Sequence, residues 1–141
     1  MIDPLGYLLT TVRDDPTVAG LTTRIRGGEP APGDALGAGK YQRFVVLVRL
    51  GNQREKRLPM QEVRVAARCY GQGANPTQDA AVLAGAVSDA LHARGPRISA
   101  GGVGIWASFD DGGGGADKDP DTGQPYEAVV FSVIAADRPI A

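Results

Sequence analysis

The sequence predicts an α+β fold: a mixed, mostly antiparallel sheet of about four to five strands, two main helices packed on it, and long glycine-rich loops. Three observations carry this expectation. Apolar residues recur at helical spacing in two stretches, at Leu5, Leu8, Leu9 and Val12 and again at Ala80, Leu83, Ala84, Val87 and Leu91. Other stretches read as strands, either alternating apolar and polar residues or apolar on both faces. The chain has 141 residues, 43% of them apolar, which suffices for one core, and its 20 glycines and 10 prolines cluster between the patterned segments. One domain over 1–141 is expected, with loops at 27–39, 51–60 and 110–125.

The first helix opens on Asp3 and Pro4, a capping residue followed by proline at the first helical position. Asp15 and Pro16 repeat the signal, giving a further helical turn that Gly20 ends, followed by an extended run from Thr22 to Arg26. Residues 27–39 hold five glycines and two prolines without periodicity and read as a loop. Phe44 to Val48 is a short run of β-formers, apolar on both faces, and reads as a buried strand. The polar stretch from Gly51 to Pro59 then connects to a strand over Gln61–Tyr70. There Val63, Val65, Ala67 and Cys69 define a buried face, and Glu62, Arg64, Ala66 and Arg68 a polar one. Asn75 or Thr77 caps the second helix, which stops at Gly95-Pro96. A strand with a glycine-rich start follows over Ile98–Phe109, with Val103, Ile105 and Ala107 on one face and Trp106 on the other. An acidic loop and a final strand, Tyr126–Ala136, complete the order.

Composition excludes several classes of function. Fifteen basic and 16 acidic residues leave a net charge of −1, so nothing favours a binder driven by phosphate neutralisation. One cysteine and one histidine provide neither an internal disulfide nor a closed structural zinc site. No apolar run approaches the roughly 18 residues that span a bilayer, and Met1-Ile2-Asp3-Pro4 lacks the order of a signal peptide. A soluble protein folding in a cytoplasm, with no membrane partner, is the expectation.

No catalytic constellation emerges. His92 falls in the last turn of the second helix, where a cation complements the dipole, and Cys69 reads as a small core hydrophobe. The run Asp117-Lys118-Asp119-Pro120-Asp121-Thr122-Gly123 has the alternating carboxylates of a calcium loop. It fails at the sixth and twelfth positions, where Thr122 and Ala128 replace the required Gly and Glu. Gly112–Gly115 lacks the Gly-Lys-Ser/Thr sequence of a phosphate loop and reads as a spacer. No metal, cofactor or catalytic residue is assigned.

Charge placement says more. Between Lys40 and Arg68 lie eight basic residues, Lys40, Arg43, Arg49, Arg54, Lys56, Arg57, Arg64 and Arg68, against Glu55 and Glu62, a local +6 that leaves −7 for the remainder. Asp110, Asp111, Asp117, Asp119 and Asp121 against Lys118 contribute −4 of that within one loop. Opposed patches on one small domain permit identical copies to associate head to tail, in a ring where the rotation closes. Arg43, Arg49, Arg54, Lys56, Arg57, Arg64, Arg68 and the five aspartates are therefore the candidate interface residues.

The strand Val63–Gly71, the helix with Ala80-Ala81-Val82-Leu83-Ala84 and Val87-Ser88-Asp89-Ala90-Leu91, and Asp119-Pro120-Asp121-Thr122-Gly123 before a final strand resemble the tail terminator (tail completion) proteins of long-tailed, siphovirus-type bacteriophages. The helix after Asp3-Pro4 and the strand Phe44–Leu50 also fit. The resemblance implies a small structural protein without catalytic residues, forming a homo-hexameric ring on the head-proximal end of the tail tube in the virion. Its implied partners are further copies of itself, the major tail tube protein and the head-completion or stopper protein of the neck. Genome DNA would pass through the channel without specific binding, and an acidic loop lining that channel would repel it. The alternatives are a head-completion or stopper ring and a metal-dependent enzyme using the 110–121 aspartates.

Overall fold

The computed structural model describes residues 4–36, 40–54, 60–92, 97–98, 104–110 and 114–136. Ten elements follow one another: α1 (Pro4–Asp14), α2 (Pro16–Leu21), β1 (Ile25–Gly27), β2 (Phe44–Arg54), β3 (Met60–Tyr70), α3 (Pro76–Leu91), β4 (Arg97–Ile98), β5 (Gly104–Asp110), β6 (Gly115–Lys118) and β7 (Pro125–Ala136). The α+β architecture is as the patterning predicts.

Local chemistry sets the helix ends. Asp15 caps α2, its carboxylate accepting from the Val18 N–H at 3.0 Å, with Pro16 in the first turn. That helix runs past Gly20 to Leu21 and is closed by Thr22, whose N–H donates to the Val18 carbonyl. Asn75, rather than Thr77, caps α3 through the Gln78 N–H, and His92 stands at its C-terminal cap. The Asp3 cap and the Gly95-Pro96 stop lie outside the described residues.

The sheet has the order β1-β2-β3-β7-β5-β4, with β6 also paired to β7. Only β1 and β2 are parallel, with Ile25 opposite Val45; the other pairings are antiparallel. The five strands the patterning predicts are present as β1, β2, β3, β5 and β7, and two further short ones, β4 and β6, form by backbone pairing. β4 arises at the start of the predicted 98–109 strand, while β6 lies inside the predicted 110–125 loop. β1 reaches Gly27, the first residue assigned to the 27–39 loop. The 51–60 connection is shorter than expected, since β2 runs on to Arg54 and pairs Asn52, Gln53 and Arg54 with Val63, Glu62 and Gln61. Register shifts make Leu50 an extra residue between Arg49 and Gly51, and Trp106 one between Ile105 and Ala107. The second interrupts the alternation expected across Trp106.

All three helices pack on one face. The α3 stripe Ala80, Leu83, Ala84, Val87 and Leu91 is buried as its spacing predicts, against Leu8, Val12, Val18, Val45, Leu47, Val65, Ala67, Cys69, Phe131 and Val133. The opposite face carries the polar side of β3 yet is largely closed, with Phe44, Val46, Ala66, Tyr70, Val130 and Ser132 buried. Phe44 and Tyr70 stack with centroids 4.1 Å apart, and Tyr126 tilts against Tyr70 at 5.0 Å.

Two close backbone approaches require glycine. A Cβ on Gly71 would lie 1.9 Å from the Pro76 carbonyl oxygen, where the end of β3 runs under the first turn of α3. One on Gly114 would lie 1.9 Å from the Ala128 carbonyl oxygen, where the chain crosses β7 to enter β6. Gly114 and Gly115 are thus a crossing and a strand residue rather than a spacer.

Candidate functional site

Among the described residues the basic segment does not make one patch. Arg43, ahead of β2, turns inward: Nε donates to the Asp79 carboxylate at 3.0 and 3.2 Å, Nη2 donates at 2.8 Å, and Nη1 reaches the Leu21 carbonyl at 3.4 Å. The Gln72 N–H donates to the same carboxylate at 2.8 Å. Burial pushes the Asp79 carboxyl up, but these hydrogen bonds and the Arg43 charge outweigh it and hold its pKa below the ordinary carboxylate value; Arg43 is raised in turn. Arg43 is therefore a tether between the start of β2 and the first turn of α3.

The other described basic side chains divide between the faces. Arg49 is exposed on β2 and pairs in register with Val65, on the helix side. Arg64 is exposed, in register with Ser132, on the opposite side. Arg68 is half-buried there, its guanidinium carbon 5.8 Å from the Tyr126 ring centroid. Arg54 closes β2, but its side chain lies outside the described residues, as do Lys56 and Arg57.

The acidic segment from Gly115 onward is a hairpin of β6 and β7. Asp117 and Asp121 are exposed and Asp119 is half-buried. One Asp119 carboxylate oxygen accepts the N–H groups of Asp121 and Thr122, at 2.8 and 3.1 Å, and forms the turn between β6 and β7. This use of Asp119 explains the run that looks like part of a calcium loop. Among the described residues no group of three or more His, Cys, Asp and Glu side chains is placed to hold a metal ion. Asp110 ends β5 with its side chain outside the described residues, and Asp111 lies outside them altogether.

The hairpin is anchored from behind by residues that sequence reasoning missed. Gln124 is fully buried and its Nε2 donates to the Gln42 and Gly71 carbonyls at 2.8 and 2.9 Å, while Tyr41 Oη donates to the Thr122 carbonyl at 3.1 Å. The loop before β2 is held as well. Asp34 is fully buried, facing Arg24 Nη1 and Arg26 Nε at 3.3 Å each and accepting the Ala31 N–H at 2.9 Å. Gln42 Nε2 donates to the Gly33 and Asp34 carbonyls. An acid in a Gly/Pro-rich stretch carries no signal of burial, and of its two partners Arg24 stands just ahead of β1 and Arg26 within it.

The tether and the ordered hairpin leave charge on opposite margins of the sheet. β2 carries the exposed Arg49 toward one margin, and β6 with its turn carries Asp117, Asp119 and Asp121 on the other. Three strand spacings separate them, about 14 Å. No described helix is long and apolar enough to cross a membrane. No family model matches the chain, and no curated protein matches its sequence.

Proposed function

We propose that the protein is a structural ring subunit of a long-tailed phage virion, capping the head-proximal end of the tail tube and joining it to the neck. The observation that carries this reading is the placement of exposed Arg49 toward one margin of the sheet and of Asp117, Asp119 and Asp121 on the other, a polarity that head-to-tail association can use. The resemblance of the β3–α3 region and the 119–123 turn to tail terminators supplies the biological setting. In that setting the chain binds further copies of itself, the tube protein below and the head-completion protein above, and DNA passes through without specific contacts.

Electron microscopy of tails assembled without the protein tests the proposal. Overlong tubes are the expected result. Tails of normal length that fail to join heads would replace the terminator reading with a neck adaptor, and normal, head-joined tails would remove both.

A further inference from the structure

β1 ends the sheet, and among the described residues no strand lies on its outer side. On its inner side the Val45 N–H donates to the Arg24 carbonyl and the Gly28 N–H to the Leu47 carbonyl, each at 2.8 Å. Backbone groups alternate sides along a strand, so those of Ile25 and Gly27 point away from β2. Outward-pointing groups of this kind are a template on which another chain can pair.

At Ile25 the template is already occupied. Its N–H donates to the Thr23 carbonyl at 3.1 Å. Its carbonyl accepts Arg13 Nη2 at 2.7 Å and Nε at 3.3 Å, with Arg26 Nη1 at 3.4 Å. The bond from Nη2 is charge-assisted and short, which places it among the stronger kind. Arg13 lies in the last turn of α1, and its reach to β1 is set by how that helix is seated. A Cβ on Gly27 would meet Leu9 Cδ1 at 3.0 Å and Leu5 Cδ2 at 3.7 Å, so α1 rests directly on the strand. An incoming strand would have to put its own N–H where the guanidinium stands. Only the exposed Gly27 is left to receive it.

We propose that Arg13 guards the outer edge of β1 against a second copy of this chain. The contact it excludes is an antiparallel pairing of two β1 edges about a two-fold axis, which closes at two copies and cannot grow into a larger ring. The guard therefore restricts self-association to other surfaces. It does not rest on the ring reading, since it is a property of the chain in solution.

The test compares the full chain with Arg13→Ala, Arg13→Met and Arg13→Lys. Methionine keeps much of the aliphatic stem without a donor, whereas lysine keeps a donor. Sedimentation over a concentration series is expected to show Arg13→Ala and Arg13→Met forming dimers about tenfold more tightly than the parent chain, a gain of about 1.4 kcal/mol. Arg13→Lys is expected to stay close to the parent. Hydrogen exchange locates the contact: in the alanine and methionine variants the Gly27 amide should slow about tenfold as dimer forms, with far-UV circular dichroism unchanged. Association no stronger than the parent in both donor-free variants would overturn the guard. So would dimers in which Gly27 exchange does not respond to concentration, because the new contact would then lie elsewhere.

Discussion

Replacing Asp79 by alanine should cost about 2–3 kcal/mol of folding stability. The carboxylate accepts from Arg43 at 2.8 to 3.2 Å and from the Gln72 N–H at 2.8 Å. A hydrogen bond to a charged group contributes about 1.5–3 kcal/mol, and side-chain exposures of 25% for Arg43 and 17% for Asp79 place this pair near the lower end. Stranding the Gln72 N–H adds about 1 kcal/mol. In a domain of this size the total lowers the melting temperature by roughly 5–10 °C. Urea unfolding followed by circular dichroism measures it, and a double-mutant cycle with Arg43→Ala should give a coupling of about 1 kcal/mol or more. The pH dependence has a definite sign. Because the folded state depresses the Asp79 pKa, its contribution is fully present above the unfolded value, about 3.9, and disappears as pH falls through the lower folded value. Asp79→Asn should flatten that acid limb. A coupling near zero, or an acid limb identical in Asp79→Asn, would refute the tether.

Gly114→Ala forces a Cβ to within 1.9 Å of the Ala128 carbonyl oxygen, and should cost about 1–3 kcal/mol. Hydrogen exchange at 115–118 should accelerate; unchanged protection there would show that the crossing can relax. Burial, aided by the Glu127 charge, pushes the Cys69 thiol well up. Thiol reagents at neutral pH should therefore leave it unmodified until urea unfolds the chain, and rapid stoichiometric labelling of the folded protein would contradict its place in the core.

The elements legible from the sequence are those whose side chains enforce a period. The α3 stripe is buried at each position its spacing predicts, and Val65, Ala67 and Cys69 face the helices as their alternation requires. Elements formed by backbone pairing are not legible in this way. Gly115-Ala116-Asp117-Lys118 has no strand-like composition and becomes β6 because β7 offers it an edge. Gly51 to Arg54 reads as a connection yet continues β2, because the opposite arm of the hairpin is already strand. At the candidate site, the charge asymmetry was visible but its distribution was not. Arg43 looks in sequence like any other arginine of the basic run; a carboxylate 36 residues away determines that it points inward.

The position of β7 bears on how the protein is made. It is the last of the described strands in chain order, yet it lies between β3 on one side and β5 and β6 on the other. During synthesis β1, β2 and β3 and all three helices therefore emerge before their central partner exists. Hydrogen-bonding groups of β3 and apolar residues such as Leu83 and Val65 wait for Pro125–Ala136. Because the central pairing joins residues as far apart as Met60 and Ala136, folding should be slow for the chain's size. It should also complete only after β7 has left the ribosome, so the nascent chain has an interval in which the N-terminal strands are exposed to misassembly.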